Sequence, residues 1–159
     1  MRIGFGYDSH RFGGENPLVL GGVVFEGEKG LIAHSDGDVV IHALIDALLG
    51  AAALGDIGSH FPDTKIEWKN ADSAQMLSAV VSEIVQAGYS VGNVDITIIC
   101  ERPKIAPRSD EIRRRLAAIL QIDPSCVSIK GKTNEKLDDI GAGLGIETHA
   151  VCLLESKKI

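Results

Sequence analysis

The sequence predicts one α+β domain over residues 1–159, with a single mixed β-sheet and helices packed on one face of it. Its 159 residues suit one compact domain, and 45% of them are hydrophobic, which is ordinary for a globular protein. Apolar strands and amphipathic helices follow in the order strand, strand, helix, helix, strand, helix, strand, strand, which favours this fold class. Only four Phe, two Tyr and one Trp are present, so the core must be largely aliphatic.

Hydrophobic periodicity and turn residues predict the elements in order. The segment from Asp38 to Leu49 is apolar on nearly every side and predicts a buried helix. The clearest amphipathic helix has a stripe that includes Met76, Val80 and Ile84, and Gly88 ends it. The predicted strands span residues 2–7, 17–25 (one or two strands around a Gly-Gly kink), 94–100, 127–132 and 145–155; the predicted helices span 38–49, 73–87 and 109–120, and 133–144 is a glycine-rich loop.

The charge and the cysteines exclude several classes of protein. A net charge of −6 argues against a nucleic-acid or anionic-membrane surface and permits an anionic substrate only where positive charge is concentrated. The longest apolar tract, residues 39–54, is interrupted by His42 and Asp46, which argues against a membrane span, and the first ten residues do not read as a signal peptide. Three widely spaced cysteines fit buried thiols in a reducing cytoplasm.

Asp8 and His10 lie directly after the first predicted strand. If the chain is still extended there, side chains two residues apart point the same way and could grip one metal ion. The alternative interpretation is a turn Asp beside a surface His.

The buried helix carries one polar stripe, in which Asp38, His42 and Asp46 are four residues apart. This stripe needs partners, because an unpaired buried polar group costs roughly 1–3 kcal/mol. One interpretation is an internal hydrogen-bond network. The other is a metal ion at His42, with a carboxylate such as Asp46 orienting the second ring nitrogen.

Asp8, His10 and His42 together form a set of two imidazoles and one carboxylate. That set suits Zn²⁺ with a fourth position open for water or a phosphate oxygen, and Mn²⁺ or Co²⁺ could also fit. The loaded site would keep about one net positive charge, so it would attract an anionic ligand.

Two polar segments follow predicted strands and contain groups that bind phosphate. They run from Glu101 to Lys104 and from Lys130 to Glu135, and Lys, Thr and glycine-exposed backbone N–H groups are phosphate partners. Glu135 would suit a second hard cation, Mg²⁺ or Mn²⁺, that bridges phosphates. The alternative is a pair of ordinary polar turns.

Two further segments also allow more than one interpretation. Asp56 and Asp63 lie in a loop rich in glycine, where they could accept hydrogen bonds from a polyol or simply form turns. The run of three arginines at 113–115 is interpreted as the solvated face of a helix, given the acidic chain as a whole.

Four stretches carry a resemblance to a known family. GYDSHRF at 6–12, AHSDGDVVIHALIDALLGAAALGDIGSHFPDT at 33–64, NVDITIICERPKI at 93–105 and KTNEKL at 132–137 occur in this order. The chain thereby resembles the 2-C-methyl-D-erythritol 2,4-cyclodiphosphate synthases of the non-mevalonate isoprenoid pathway. The resemblance extends over essentially the whole chain.

The resemblance implies a reaction and an assembly. The substrate would be 4-diphosphocytidyl-2-C-methyl-D-erythritol 2-phosphate, whose 2-phosphate attacks the β-phosphorus of its own diphosphate. CMP leaves, and an eight-membered cyclic diphosphate forms. The family assembles as a homotrimer with sheets around the three-fold axis and active sites between subunits, and we expect such an enzyme in the bacterial cytoplasm.

The resemblance also implies a role for each matching position. Asp8, His10 and His42 would hold Zn²⁺ and contact substrate, and Glu135 would bind the second metal. His34 and Thr133 would orient the substrate and stabilise the transition state. The methylerythritol phosphate pocket would comprise Asp56, Ile57, Gly58, Phe61 and Asp63; the cytidine pocket Cys100, Glu101, Arg102, Pro103, Lys104, Ile105, Ala106, Gly131, Lys132 and Thr133; and further substrate contacts Ser9, Ser35, Pro62, Thr64, Lys65 and Asn134.

One loop departs from the family pattern. Relatives often carry Gly-Phe near 138–139, Arg at 142 and Glu at 144, where this chain has Asp138, Asp139, Ala142 and Leu144. In those relatives the Arg lines a central cavity that can hold an isoprenoid diphosphate. Ala142 has no charge with which to bind such an anion.

Two other functions stay open beside the synthase. One is a metal-dependent nucleotide-binding module without turnover. The other is a zinc phosphodiesterase that uses a bound water. Incubation with the substrate and Mg²⁺ would distinguish these from a synthase.

Overall fold

Five of the seven strands form one mixed sheet in the structure, a computed structural model that describes residues 1–62, 64 and 71–156. The strands are β1 (Arg2–Gly14), β2 (Leu18–Leu20), β3 (Val23–Phe25), β4 (Gly30–Leu31), β5 (Tyr89–Ile99), β6 (Val127–Lys132) and β7 (Gly145–Ser156). The helices are α1 (Val39–Ala52), α2 (Ile57–His60), α3 (Ser73–Gln86), α4 (Ser109–Leu120) and α5 (Asp138–Gly141), with short 3₁₀ turns at Ala106–Arg108 and Pro124–Cys126.

The sheet has the order β4-β1-β7-β5-β6. β5 and β6 run parallel, whereas the other neighbouring strands run antiparallel. Because parallel neighbours need a crossover, the chain passes through α4 between β5 and β6, and α4 packs beside β6. The loops that follow β5 and β6 therefore meet at the same edge of the sheet.

Helix α1 lies directly on the central strands β1 and β7. Gly4 and Gly6 allow this approach, since a Cβ atom on either would lie 1.9 Å from a backbone oxygen, of Ala47 or Ala43 respectively. Twelve of the fourteen residues of α1 are buried, as predicted for a helix that is apolar all round. The close contact fixes the position of His42 relative to β1.

Asp38 joins the start of α1 to a small hairpin. Gly21 and Gly22 form the turn between β2 and β3, with φ values of 61° and 73° that suit a two-residue hairpin turn. Their N–H groups donate to the two carboxylate oxygens of Asp38 at 2.8 and 2.6 Å. The same carboxylate caps α1 by accepting from the N–H groups of Val40 and Ile41, so the helix begins one residue later than predicted.

The helices cover one face of the sheet, as predicted, and the opposite face is open, with apolar side chains along β1 and polar ones such as His149 and Glu147 along β7. Along β1, Gly4 and Gly6 face α1, while Ile3, Phe5 and Tyr7 point the other way and are 74%, 62% and 44% exposed. This alternation follows from the two-residue period of a strand.

Two strands are longer than predicted. β1 continues to Gly14, because it pairs with β7 in unbroken register from Arg2 to Arg11 and then with β4 at Phe12 and Gly14. β5 begins at Tyr89, which pairs with Ser156 at the end of β7. The predictions for the other predicted helices and strands are confirmed within a few residues. Three segments predicted as loops contain short elements: β4 lies in 26–37, α2 in 55–62 and α5 in 133–144. Among the described residues, no helix combines the length and apolar character that a membrane crossing requires.

Candidate functional site

One carboxylate oxygen of Asp8 lies between two imidazole rings. Its Oδ2 is 3.1 Å from Nε2 of His10 and 3.0 Å from Nδ1 of His42. Asp8 and His10 project from the same side of β1, whereas His42 comes from the first turns of α1. The three ligand atoms lie within 4.8 Å of one another, so this cluster could hold one metal ion.

The cluster changes the protonation equilibria of its members. Burial alone would raise the pKa of Asp8, but interactions with the adjacent His10 and His42 rings outweigh it and hold the pKa at about 2. The Asp8 carboxylate, 3.1 Å from Nε2, raises the pKa of His10 above its ordinary value, against the effect of burial. Asp8 is therefore an anion at neutral pH and is ready to act as a ligand.

The other nitrogen of each ring is already occupied by protein. Nδ1 of His10 lies 3.1 Å from the carbonyl oxygen of Ile32, which can only accept, so this nitrogen carries the hydrogen. Nε2 of His10 is buried and makes no hydrogen bond within the described residues. In the neutral ring, Nε2 turns a lone pair toward the Asp8 carboxylate, and a cation bound between these two acceptors would satisfy both. Two His with one carboxylate suit Zn²⁺ with an open fourth position.

His42 is supported by Ser35, which the sequence placed at the site in another role, and by Ser73 and Asp36, which sequence reasoning missed. Its Nε2 lies 2.9 Å from Oγ of Ser73 and 3.2 Å from Oγ of Ser35. Ser73 in turn donates to Asp36, 2.5 Å from hydroxyl to carboxylate and 2.9 Å from the backbone N–H. Ser73 stands at the start of α3, 31 residues after His42, and no sequence pattern links the two.

Asp46 does not orient the second ring nitrogen of His42, contrary to the prediction from the sequence. Oδ1 of Asp46 accepts a hydrogen bond of 2.7 Å from the N–H of Ile57, at the start of α2, and the second nitrogen of His42 meets Ser73 instead. Burial raises the pKa of Asp46, as expected for a half-buried carboxylate. The predicted stripe thus divides: Asp38 caps α1, His42 faces Asp8, and Asp46 anchors α2.

A cleft of about 350 Å³ opens beside the metal-ligand cluster. It brings together predicted residues from β1, the loop at 33–35, α1 and the segment around α2. Its lining comprises Asp8, His10, Ala33, His34, Ser35, His42, Asp46, Ile57, Gly58, Phe61, Pro62 and Met76.

The remaining predicted residues of this region lie around the cleft or beyond the described part of the chain. Ser9 and Thr64 are exposed, and Asp56 caps α2 by accepting from the N–H of Ser59. The hydrogen bonds from Ser59 lower the pKa of Asp56. Asp63 and Lys65 fall outside the described residues.

The segments predicted to bind a nucleotide form a second group. Parallel pairing of β5 with β6 sets Ile99 opposite Lys132, so the two loops meet at one sheet edge. The N–H of Asn134 donates to Oε1 of Glu101 at 3.2 Å, which ties the loops together. Gly131 is required there, because a Cβ atom would lie 2.8 Å from Cβ of Ile105.

Within the chain, this second group does not line the cleft beside Asp8. Glu101, Arg102 and Lys104 border a separate cleft of about 840 Å³. The hydroxyl of Thr133 donates to Glu135 at 3.0 Å on that same edge. The structure thus brings His34 to the metal cluster but does not bring Thr133 to it.

Comparison with known proteins gives one consistent result. Residues 1–155 match the model of the YgbB family. A protein of Erwinia tasmaniensis named 2-C-methyl-D-erythritol 2,4-cyclodiphosphate synthase is 55% identical over 97% of this chain and 98% of its own length. A protein of the same name from Alcanivorax borkumensis is 53% identical over 99% of this chain and 98% of its own length.

Solved structures agree with the sequence relatives. An IspF–CDP complex from Plasmodium falciparum superposes with a TM-score of 0.86 at 39% identity and covers 99% of this chain and 97% of its own. The bifunctional IspDF of Campylobacter jejuni gives a TM-score of 0.94 at 38% identity over 98% of this chain, which spans only 42% of that protein.

Proposed function

The chain belongs to the YgbB family, and from that premise we propose that it converts 4-diphosphocytidyl-2-C-methyl-D-erythritol 2-phosphate to 2-C-methyl-D-erythritol 2,4-cyclodiphosphate. The enzyme would be a single-domain phosphorus–oxygen lyase that releases CMP. The single observation that carries the proposal is the convergence of Asp8, His10 and His42 at a cleft lined by the residues expected to receive the methylerythritol phosphate.

The reaction joins two phosphates of one molecule. An oxygen of the 2-phosphate forms a bond to the β-phosphorus, and the bond from that phosphorus to the oxygen bridging to the CMP phosphate breaks. Two unit charges 4 Å apart repel by about 4 kcal/mol at an effective dielectric constant of 20, so the site must concentrate positive charge. Because the attack is intramolecular, holding the reacting groups in position can contribute roughly 7–11 kcal/mol.

We assign the ion sites by the chemistry of their donors. Asp8, His10 and His42 would hold Zn²⁺, or Mn²⁺ or Co²⁺, and Glu135 would bind Mg²⁺ or Mn²⁺ at the substrate diphosphate. Such ions supply positive charge that stabilises phosphate oxygens as the β-phosphorus is attacked. The fit rests on the ionised Asp8 and on the unsatisfied Nε2 of His10.

The other proposed roles belong to side chains and backbone of the chain itself. His34 orients the phosphate from the rim of the cleft, and Lys132 and Thr133 bind phosphate oxygens from the loop after β6. The backbone at Ile57 and Gly58 positions the methylerythritol. Residues 100–106 enclose the cytidine, with the remaining positions implied by the family resemblance as further contacts.

We further propose that the active enzyme is a homotrimer in the bacterial cytoplasm. Two observations support the assembly: the apolar face with Ile3, Phe5 and Tyr7 is open, and the loops after β5 and β6 lie apart from the metal cluster of the same chain. Contact between copies would let the Thr133 loop of one copy complete the cleft of another. Three free thiols suit a reducing compartment.

The deciding experiment incubates the purified protein with the substrate, Zn²⁺ and Mg²⁺, and follows the products by ³¹P NMR. We expect CMP and the cyclic diphosphate in equal amounts. A hydrolysed linear product would instead identify a phosphodiesterase. Binding of substrate without any product would identify a nucleotide-binding module and refute the synthase.

A further inference from the structure

The hydroxyl of Ser73 contacts the ring nitrogen of His42 that faces away from Asp8. His42 is 9% exposed and Ser73 is fully buried, and their Nε2 and Oγ atoms are 2.9 Å apart. A buried contact of this length is a hydrogen bond, and its direction determines which ring nitrogen carries the hydrogen.

Asp36 sets that direction. Its carboxylate accepts from the Ser73 hydroxyl at 2.5 Å, from the Ser73 N–H at 2.9 Å and from the Asp38 N–H at 3.1 Å. An ionised carboxylate can only accept, so the single hydroxyl hydrogen of Ser73 points to Asp36. Toward His42, the serine oxygen then offers only a lone pair, and Nε2 must carry a hydrogen.

A neutral imidazole with its hydrogen on Nε2 has its lone pair on Nδ1. In His42 that nitrogen is the one 3.0 Å from Oδ2 of Asp8, within the cluster of ligand atoms. His10 has the opposite arrangement, since Ile32 fixes its hydrogen on Nδ1 and leaves Nε2 toward Asp8. Each ring is therefore fixed by a partner behind it so that the nitrogen facing Asp8 is free to ligate.

We propose that Ser73 and Asp36 are positioning residues that fix the metal-binding tautomer and orientation of His42. This inference rests on the metal site of the proposed function. Capping of α3 does not account for the serine hydroxyl, because Asp72 caps that helix by accepting from the N–H of Ala74. Ser35 lies farther from Nε2, at 3.2 Å, and among the described residues no carboxylate hydrogen bond directs its hydroxyl.

The first test measures the zinc dissociation constant of substrate-free protein by competition with a chelator. Loss of a partner behind a metal-bound histidine typically weakens metal affinity about 10–100-fold, so we expect Ser73→Ala to fall in this range. Ser73→Thr keeps the hydroxyl and should recover most of the affinity. Ser82→Ala is the matched control on the same helix, since the exposed Ser82 hydroxyl donates to the backbone carbonyl of Ser78 in its own helix.

The outcomes distinguish positioning from packing. If Ser73→Ala lowers thermal stability but binds zinc as tightly as the parent protein, the positioning role is refuted. If Ser73→Ala and Ser73→Thr lose affinity equally, the hydroxyl is not the cause and the proposal also fails. Zinc affinity is measured without substrate, so a protein that makes no cyclic diphosphate would refute the proposed function and leave this test intact.

A second test needs no variant. In the zinc-loaded parent protein, long-range ¹H–¹⁵N NMR of the histidine rings should find the hydrogen of His42 on Nε2 and the metal on Nδ1. A metal-bound Nε2, or a hydrogen on Nδ1, would overturn the proposal even if every Ser73 variant failed to fold.

Discussion

His42 reaches the metal-ligand cluster from a helix, whereas the other two members come from a strand. Within the described part of the chain, its ring nitrogens lie at hydrogen-bond distance from three side chains, Asp8 on one side and Ser35 and Ser73 on the other. The ring therefore connects the sheet to α1 and α3 at the point where the candidate ion would bind.

Replacement of His42 by Ala should abolish stoichiometric zinc binding, because only Asp8 and His10 would remain as ligands. Zinc content after dialysis, measured by atomic emission, checks this. His60→Ala is the matched control, since His60 pairs with Glu83 away from the cluster and should keep its zinc. Full zinc content in the His42 variant would contradict the ligand assignment.

The cysteines give a prediction that depends on pH. Burial raises the pKa of Cys100 to about 12 and that of Cys152 to about 11, against an ordinary value of 9.0. Above pH 9 the unfolded chain loses these protons while the folded chain keeps them, so the free energy of unfolding should fall as the pH rises toward 11.

A thiol reagent at pH 8 should therefore label Cys126 quickly and the other two cysteines only after unfolding in guanidinium chloride. Cys126 is partly exposed, whereas Cys100 and Cys152 are 3% and 1% exposed. Mass spectrometry of the labelled peptides identifies the sites. Rapid labelling of Cys152 in native protein would contradict the burial argument.

At the residue scale, the sequence predicted the metal ligands better than the residues that support them. Asp8 and His10 share the two-residue period of a strand, and His42 is a polar residue in a helix that is otherwise apolar, so each stands out locally. Ser73 and Asp36 act through a contact that spans 37 residues of chain, and neither has a distinctive pattern. Asp46 was misassigned because helical spacing identifies a face but not the partner on that face.

Among the contacts between elements, the one between α1 and β1 fixes the position of His42 relative to Asp8. Gly6 faces α1 so closely that a Cβ atom would lie 1.9 Å from the carbonyl oxygen of Ala43. That alanine follows His42 directly, so any shift of α1 moves the ring relative to Asp8.

Gly6→Ala should destabilise the fold by about 3 kcal/mol, because the extra methyl group forces the helix away from the strand. Chemical denaturation measures the stability, and a chelator titration should show weaker zinc binding as well. Gly50→Ala is the matched control, because a Cβ atom there meets nothing within 4 Å and should stabilise α1 by about 1 kcal/mol. Equal stability of the two variants would refute the close-approach argument.

Among the elements, those with a clear period were predictable. The helices α3 and α4 have apolar stripes on one face, and their predicted bounds differ from the structure by at most one residue. β1 was predicted too short, because its second half contains polar residues and its extension depends on pairing with β7, at the other end of the chain. Such distant pairing leaves no local signal.

At the scale of the whole molecule, the proposed trimer depends on the exposed apolar side chains of β1 on the open face of the sheet. Ile3 and Phe5 are more than half exposed on this face. Residue patterns alone do not predict a trimer, because the exposure of a strand face depends on which elements cover it. The expectation of a trimer comes from the family resemblance.

The double variant Ile3→Lys, Phe5→Lys should be monomeric, because buried charges without partners oppose association. We expect it to bind zinc as tightly as the parent protein, since all three ligands come from one chain, but to lose cyclic product formation. Light scattering, chelator titration and ³¹P NMR measure the three properties. Val85→Lys, at an exposed apolar position on α3, is the control. A monomer with full activity would exclude shared sites.

The pairing of β1 with β7 also affects when the candidate ion site can form during protein synthesis. Two of the three candidate metal ligands lie on β1, yet the long sheet partner of that strand is residues 145–156. A ribosome-bound nascent chain therefore exposes Asp8 and His10 on an unfinished sheet edge until β7 has left the exit tunnel. We therefore expect the candidate ion site to form only once β7 has been translated and has paired with β1.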